Sequence, residues 1–337
     1  MITSEKPLLL QAFDGTNKTV PVWFMRQAGR YLPQYRKIKE KYSLNEMFTT
    51  PELAAQITCQ PIGYLGVDAA ILFADILTLP QAMGFQITFD NQKGPLIDES
   101  LDFKHMRDFE NLDYIDETIK LVLQELPDHI PLIGFAGGPF TVATYLIEGG
   151  SSINFTKTLR FIQTQEQTFH QLMDRLTTNT IRYLKLQIEA GVAVYQLFDS
   201  WAGILRPVDY AKLVLPYIQR IFKAVDHPSI YFLKNTQHLL PLMTQCGADI
   251  LSVDHTVVLG HERVLEKTNS GIQGNLFNGL LYADHEQLRR EVNDVLIGGG
   301  RYPRYIFNLS HGIFPDVDPD KLKRIVDQVH QFPRTSS

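Results

Sequence analysis

Cysteine is scarce in this chain of 337 residues, which contains only Cys59 and Cys246. The two lie far apart and form no Cys-x-x-Cys pair, so the sequence offers neither a disulfide framework nor a thiolate metal site. We expect both to be buried thiols on helices of a protein in a reducing compartment. The sequence therefore predicts a cytoplasmic location and no bound metal.

Long apolar runs are also missing. No stretch of eighteen apolar residues runs uninterrupted, because Asp75 breaks the best candidate, and a membrane helix needs about 20. The first residues, MITSEKPLLLQAF, lack the basic segment and long apolar core of a signal peptide. We therefore expect no membrane association.

Positive charge is not in excess. The 32 lysines and arginines are outnumbered by 37 acidic residues, which gives a net charge of -5 at pH 7. This balance argues against nucleic acid as a partner. An anionic ligand would need positive charge that is concentrated locally.

No Pro/Ser-rich linker, low-complexity tract or repeat divides the chain, so we predict one domain over residues 1–337, with residues 1–6 and 333–337 frayed. Eight short apolar runs alternate with amphipathic, helix-like segments, which predicts a parallel sheet. Eight such units fit a single (β/α)8 TIM barrel, whose active site lies at the C-terminal ends of the strands. The runs are Val22–Met25, Ala69–Phe73, Pro131–Phe135, Val194–Phe198, Ile230–Leu233, Ile250–Val253, Gly271–Gly274 and Tyr305–Leu309.

Helix-like segments separate most of these runs. Their apolar residues recur at helical spacing, so each segment can bury one face against the sheet. The segments are Glu52–Tyr64, Asp113–Leu126, Asn154–Ala190, Val208–Val225, Leu239–Cys246, His261–Thr268, Asp284–Ile297 and Pro319–Gln331.

Polar residues follow many of the predicted strands. Arg26 and Arg30 follow the first, and Gly29 between them permits backbone angles that other residues avoid. Asp75 follows the second as a lone carboxylate in an apolar stretch, where a charge needs a partner. Surface ion pairs for the arginines, and a helix cap or a core ion pair for Asp75, are the alternatives to a binding site.

The segment PVWFMRQAGRYLPQYR, residues 21–36, carries a more specific signal. Together with DAAILFADIL, GPFTVATYLIEGG, FDSWAG, QGNL and FNLSHG, it resembles the uroporphyrinogen decarboxylase family in order and spacing. The resemblance extends from about Pro7 to Phe332. It implies a cofactor-independent enzyme that converts the four acetate side chains of uroporphyrinogen III to methyl groups, giving coproporphyrinogen III in haem biosynthesis.

The resemblance also implies roles for individual residues. Asp75 would accept the pyrrole N–H groups at the centre of the macrocycle, and Arg26 and Arg30 would hold substrate carboxylates. The remaining contacts would come from Gln27 and Ala28 in the signature, from Tyr145 and Ser200 through hydrogen bonds to an acid group, and from His311 at the eighth strand. Family members form homodimers, so the resemblance implies one here.

Loss of CO2 from a pyrrole acetate needs an electron sink, and no pyridoxal, thiamine or metal signature provides one. The substrate itself can provide it once a pyrrole carbon is protonated to a cationic iminium. A fixed carboxylate, Asp75, would stabilise that cation. The resemblance implies Arg26 as the donor of the first proton, but a guanidinium is a poor acid, so Tyr145, His311 and a bound water remain alternatives.

Six positions depart from the family pattern, all at the predicted barrel mouth. They are compatible with loop drift, weakened activity or a changed substrate. These positions are Lys39, Asn235, His255, Phe277, Asn278 and Ser310.

Two other functions stay open. A zinc-dependent methyltransferase of the same superfamily would need a His-x-Cys after a mid-barrel strand, where this chain has Phe232-Leu233-Lys234-Asn235. His238 and Cys246 are eight residues apart, a poor spacing for a ligand pair. A non-catalytic tetrapyrrole-binding relative would keep the pocket without turnover.

Overall fold

Short apolar runs form the strands of the computed structural model, which describes residues 5–90, 94–98, 103 and 106–333. Seven strands make one parallel sheet in the order β1, β4, β5, β6, β7, β8, β9, and two make an antiparallel pair, β2 and β3. In chain order the strands are Ala70–Ile71 (β1), Ile87–Asp90 (β2), Gly94–Ile97 (β3), Leu132–Gly137 (β4), Val194–Phe198 (β5), Ser229–Phe232 (β6), Ile250–Ser252 (β7), Gly271–Gln273 (β8) and Tyr305–Ile306 (β9).

Every residue of β4, β6, β7 and β8 is buried, as expected for parallel strands that are covered on both faces. The carboxyl ends of parallel strands lie at one edge of a sheet. The polar residues that follow the strands therefore meet there.

Helices occupy most of the intervals between the strands. Two segments predicted as single helices are each divided. The backbone leaves the helical region at Gln165 (φ -139°) and at Val214 (φ -125°), and Pro216 cannot continue a helix from the preceding turn. The helices are Leu8–Asp14 (α1), Pro33–Lys39 (α2), Leu44–Thr49 (α3), Pro51–Leu65 (α4), Thr78–Ala82 (α5), Asp113–Glu125 (α6), Pro139–Glu148 (α7), Thr156–Thr164 (α8), Glu166–Ala190 (α9), Pro207–Leu213 (α10), Leu215–Ala224 (α11), Leu240–Met243 (α12), Arg263–Glu266 (α13), His285–Gly299 (α14) and Pro319–Gln331 (α15).

The first predicted strand, Val22–Met25, is not a strand in the structure. Val22 alone makes a parallel bridge, to Phe307 beyond the end of β9. On its other side the Val22 carbonyl accepts a hydrogen bond from the Asp68 N–H (2.8 Å), just before β1. The sheet therefore curls until one residue of this segment lies between its two edges.

Buried polar side chains fix this segment from inside the sheet. The indole N–H of Trp23 donates to Gln273 Oε1 (2.9 Å). Gln273 Nε2 donates in turn to Gln196 Oε1 (3.0 Å) and to Ser252 Oγ (2.8 Å). The four side chains come from the first segment and from three different strands, β5, β7 and β8, and a buried network of this kind specifies one arrangement of the strands.

The antiparallel pair β2–β3 was not predicted from the sequence. It contacts the end of α7, where the Ile97 N–H donates to the Gly149 carbonyl (3.1 Å) and Leu96 bridges Gly150. The segment Glu148–Ser151 at the end of α7 is therefore anchored to β3.

None of the helices among the described residues combines the length and the apolar character that a membrane-spanning helix requires.

Both cysteines are free thiols, but Cys246 lies in the turn after α12 rather than on a helix, and Cys59 is only half-buried.

The C-terminal helix is joined to the first segment by His330. Its Nε2 lies 2.8 Å from Asp68 Oδ2, the oxygen that also accepts the Val22 N–H (2.7 Å). The hydrogen bond with Asp68 raises the pKa of His330, while burial opposes the shift and Asp327 adds to it.

We expect His330→Gln to destabilise the fold in a pH-dependent way. A raised folded-state pKa contributes stability that is fully present below about pH 6.5, the unfolded value, and is lost as the pH rises through the folded value. The His330 side chain is 36% exposed, so we expect the effect to stay below about 1 kcal/mol. Urea unfolding at about pH 5.5 and about pH 9 measures it. A deficit that grows with pH would contradict this assignment.

Candidate active site

The loop that follows Val22 is held in an unusual backbone conformation at Arg26. Its φ is +59°, in the left-handed region that disfavours side chains. Gly29, the residue of this loop that permits unusual backbone angles, does not adopt a positive φ, and Arg26 adopts one instead. A Cβ atom on Gly312 would lie 2.4 Å from Arg26 Cδ, so only glycine there leaves room for the arginine.

Gln27 stabilises the loop from its buried side. It is fully buried; its Oε1 accepts the Phe24 N–H (3.0 Å) and its Nε2 donates to the Ala69 carbonyl (2.9 Å). The Tyr31 hydroxyl donates to the Gln27 carbonyl (2.5 Å). The structure thus uses the side chain of Gln27 within the protein, whereas Ala28 is half-buried at the surface of the loop.

Arg30 lies on the same loop with an exposed side chain. Lys39, the last residue of α2, is close enough that burial and the Arg30 cation both lower its pKa. Arg36 Nη1 donates to the Arg30 and Tyr31 carbonyls (3.0 Å each) and fixes the end of the loop. Positive charge is therefore concentrated on this part of an acidic protein.

Asp75 lies just after β1 and is half-buried. Its Oδ1 accepts the Leu77 N–H (2.8 Å). Burial raises its pKa, against the hydrogen bond from Leu77 and the Arg26 cation, which lower it. Within the described residues its Oδ2 makes no hydrogen bond, so that oxygen can accept one from a ligand.

Tyr145 extends from α7 toward the same region. It stacks on Trp201 with ring centroids 3.8 Å apart, and Phe155 packs edge-on against Trp201 at 5.1 Å. Burial raises the pKa of Tyr145 to about 12, and Asp75 adds to this, while a hydrogen bond with Ser151 and the Arg26 cation oppose it. Its hydroxyl is therefore a hydrogen-bond donor at neutral pH.

Ser200 follows β5 and is half-buried beside a fully buried carboxylate, Asp199. Asp199 Oδ1 accepts the Thr141 N–H (2.9 Å) and hydroxyl (2.7 Å), and its Oδ2 accepts the Tyr231 hydroxyl (3.2 Å). Burial raises the pKa of Asp199 to about 6, against these hydrogen bonds. A Cβ on Gly138 would meet Asp199 Cγ at 2.4 Å, so this glycine accommodates the carboxylate.

His311 lies after β9, with its ring 6.2 Å from that of Phe232. Burial lowers its pKa to about 4; the Arg26 and Lys234 cations lower it further, and Asp254 opposes them. The imidazole is therefore neutral at pH 7.

We expect an NMR titration to show His311 protonating near pH 4, with His311→Gln used to assign its resonance. The folded state then binds fewer protons than the unfolded chain between about pH 4 and pH 6.5. Stability should consequently fall as the pH drops through this window, and it should fall less in His311→Gln. Titration of His311 near pH 6.5 would contradict this placement.

Five of the six positions that depart from the family pattern contact each other or the strand ends. The rings of His255 and Phe277 lie 4.5 Å apart. The Asn278 N–H donates to Ser310 Oγ (3.4 Å), whose hydroxyl donates to Asn278 Oδ1 (3.3 Å). Asn235 has φ +57°, a conformation that asparagine tolerates better than most residues. The site thus contains substitutions that fit one another locally.

Arg26 is the residue that connects most of the predicted site. Its charge contributes to the pKa shifts of Asp75 after β1, Tyr145 on α7 and His311 after β9. Arg30 is associated with Tyr35 and Lys39 instead. In the part of the chain that the structure describes, no hydrogen bond or ion pair joins Ser200 to these residues.

A zinc site is not supported by the groups considered for it. His238 Nε2 lies 2.8 Å from the Leu205 carbonyl, and Cys246 Sγ accepts the Ala248 N–H (3.4 Å). In the part of the chain that the structure describes, no three His, Cys, Asp or Glu side chains are grouped to hold a metal.

Solved structures share this architecture. A methyltransferase from Methanosarcina mazei has a TM-score of 0.82 at 21% identity and covers 96% of this chain and 98% of its own. A B12-independent methionine synthase from Shewanella sp. W3-18-1 has a TM-score of 0.57 at 10% identity, covering 93% and 95%. At these identities the likeness concerns the fold alone.

Sequence relatives indicate the family of this chain, whereas the solved structures indicate only its fold. A curated uroporphyrinogen decarboxylase from Thermodesulfovibrio yellowstonii is 44% identical over 319 residues, covering 93% of this chain and 94% of that protein. One from Carboxydothermus hydrogenoformans is 42% identical over 322 residues, covering 93% and 92%. The family model described as uroporphyrinogen decarboxylase (URO-D) matches residues 4–332. This chain therefore belongs to the uroporphyrinogen decarboxylase family.

Proposed function

We propose that this chain decarboxylates the four acetate side chains of uroporphyrinogen III to methyl groups, giving coproporphyrinogen III. Curated relatives named for this activity are 40–44% identical over nearly the whole chain. The observation that carries the proposal is the position of Arg26, an exposed guanidinium on a left-handed backbone at the edge of the sheet where Asp75 follows β1 and His311 follows β9. A ligand bound there meets a carboxylate, a hydroxyl donor and cations at once.

Binding follows from the charges. The substrate carries eight carboxylates, and Arg26, Arg30 and Lys39 supply guanidinium and ammonium donors at the rim. The free oxygen of Asp75 accepts pyrrole N–H groups, and the hydroxyls of Tyr145 and Ser200 donate to an acid group. Gln27 holds the loop that carries Ala28, which contacts the ligand edge.

Each round of the reaction releases one CO2 and consumes one proton. Protonation of the pyrrole carbon next to the acetate-bearing carbon gives an iminium cation. The electrons of the breaking C–CO2 bond then flow into this cation. The exocyclic methylene that results is protonated to a methyl group, and the ring proton is returned. Ionised Asp75 stabilises the cation because it is fixed before the reaction starts.

The source of the first proton is constrained by the site. Tyr145, with a pKa of about 12, is a weak acid, and His311, with a pKa of about 4, carries no proton to give at neutral pH. A guanidinium is a poor general acid. Bulk water is a weaker acid still, so acidity alone favours none of Arg26, Tyr145, His311 and a bound water as the first proton donor.

Several further features belong to the proposal. Residues 1–337 would form a single (β/α)8 domain, with Val22 closing the sheet between β9 and β1. Support comes from its bridge to Phe307 and its hydrogen bond from Asp68.

The frayed ends predicted at 1–6 and 333–337 lie mostly outside the described residues. The two free thiols are compatible with a cytoplasmic location, and sedimentation of the purified protein tests for a homodimer.

Anaerobic incubation with uroporphyrinogen III, followed by oxidation and chromatography of the products, tests the function. We expect stepwise appearance of products with seven, six, five and four carboxyl groups. No turnover by folded protein would contradict the proposal. Bound porphyrinogen without CO2 release would identify the non-catalytic alternative, and stoichiometric zinc with methyl transfer would identify the methyltransferase.

A further inference from the structure

Asn308 joins the two chain segments that carry Arg26 and His311. Its Oδ1 accepts the Met25 N–H (3.1 Å) and the Leu309 N–H (2.8 Å). Both partners are donors, so the accepting atom must be the amide oxygen, and the orientation of the side chain is determined by its contacts. Met25 directly precedes Arg26, and Leu309 lies two residues before His311.

The buried position of Asn308 lowers the stability of the fold, which indicates that this residue has a role beyond folding. Asn308 is fully buried, and its Nδ2 has no hydrogen-bond partner in the described part of the chain. An unpartnered buried donor destabilises a fold and calls for an explanation. The useful atom is Oδ1, because without it two buried backbone N–H groups from opposite ends of the chain would lose their acceptor.

Arg26 depends on such contacts to keep its left-handed backbone. The Met25 N–H is held by Asn308, and the Met25 carbonyl accepts the Ile313 N–H (3.1 Å). Gly312 lies against the Arg26 side chain. A strained residue persists only where its surroundings over-determine it, and here the surroundings are the two partners of Met25.

We propose that Asn308 is a positioning residue that sets Arg26 relative to His311 by accepting hydrogen bonds from Met25 and Leu309. The inference rests on the proposed decarboxylase function and adds a group that touches neither substrate nor reacting atoms. Loss of Oδ1 releases the Met25 end of the loop, so the backbone and guanidinium of Arg26 are no longer held in place.

Asn308→Ala and Asn308→Asp test this, because aspartate keeps an acceptor at the same place. A displacement of about 1 Å can lower a rate by roughly a hundredfold. We therefore expect kcat of Asn308→Ala to fall by about a hundredfold from the wild-type value. We expect kcat of Asn308→Asp to be at least about tenfold higher than that of Asn308→Ala. Asn179→Ala is the matched control. Asn179 is also fully buried and accepts a backbone N–H, that of Phe109 (3.2 Å), away from the loop. We expect it to lower Tm and leave kcat unchanged.

Hydrogen exchange of the Met25 and Leu309 amides provides a readout that does not depend on activity. We expect both amides to exchange faster in Asn308→Ala and to stay protected in Asn308→Asp. If wild type does not turn over, the proposed function fails while exchange still decides whether the contact exists. Normal kcat in Asn308→Ala, or equal losses in the alanine and aspartate variants despite intact folding, would overturn the positioning role.

Discussion

Asp75→Asn should lower kcat by about 10²- to 10³-fold, the usual effect of removing one preorganised charge-stabilising group. The amide keeps the shape of the side chain and its contact with Leu77 but cannot offer the charge that a cationic pyrrole needs. KM should change much less, because the rim cations hold the substrate carboxylates. Anaerobic turnover of wild type and variant measures both constants.

Asp249→Asn is the control for this variant. Asp249 also accepts a backbone N–H, that of Ser229 (2.9 Å), but it precedes β7 and lies at the opposite edge of the sheet. We expect normal kcat from it. The raised pKa of Asp75 also predicts that wild-type kcat falls on the acid side, at a pH above the ordinary range of an aspartate. Asp75→Asn with kcat within tenfold of wild type would retain the enzyme and refute this mechanism.

Arg26→Gly should lower kcat/KM by about a hundredfold or more while leaving Tm equal to or above that of wild type. The left-handed backbone at φ +59° suits glycine, so strain is relieved when the side chain is removed. Activity and stability therefore change in opposite directions, and unfolding cannot account for the lost rate. Thermal unfolding and anaerobic turnover on one preparation check both.

Asn235→Gly is the matched control, because Asn235 also has a left-handed backbone (φ +57°) at the same edge of the sheet. Its N–H donates to Asp254 Oδ2 (2.7 Å), a contact that glycine retains. We expect unchanged turnover from it. Arg26→Lys should recover only part of the lost activity, since an ammonium group cannot reproduce the planar fork of a guanidinium. Full activity in Arg26→Gly would remove Arg26 from the site.

Sequence patterns predicted the elements whose own residues determine them. Runs such as Val194–Phe198 became strands because uninterrupted apolar residues suit a sheet covered on both faces. The Val22–Met25 run has the same composition but contributes only a bridge, because the Gln27 side chain takes the Phe24 N–H and Asn308 takes that of Met25. Those competing acceptors are invisible to a local pattern.

The candidate site was likewise predictable only where local sequence patterns reveal its residues. Arg26 and Asp75 are identifiable as charges at strand ends, whereas Trp201 and Asn308 act through partners distant in the sequence. Trp201 lies in the FDSWAG segment, and its aromatic type next to a strand end was the available signal for stacking on Tyr145. Asn308 gave no such signal, because its importance rests on contacts made across nearly the whole chain.

The bridge between Val22 and Phe307 has a consequence for synthesis on the ribosome. The loop that carries Arg26 emerges long before Asn308, Gly312 and Ile313, which fix it. A nascent chain therefore cannot assemble the arginine loop until residues 308–313 have also been made, because contacts of such long sequence separation form only when both segments are present. Unfinished chains would accordingly have no formed site with which to capture a porphyrinogen.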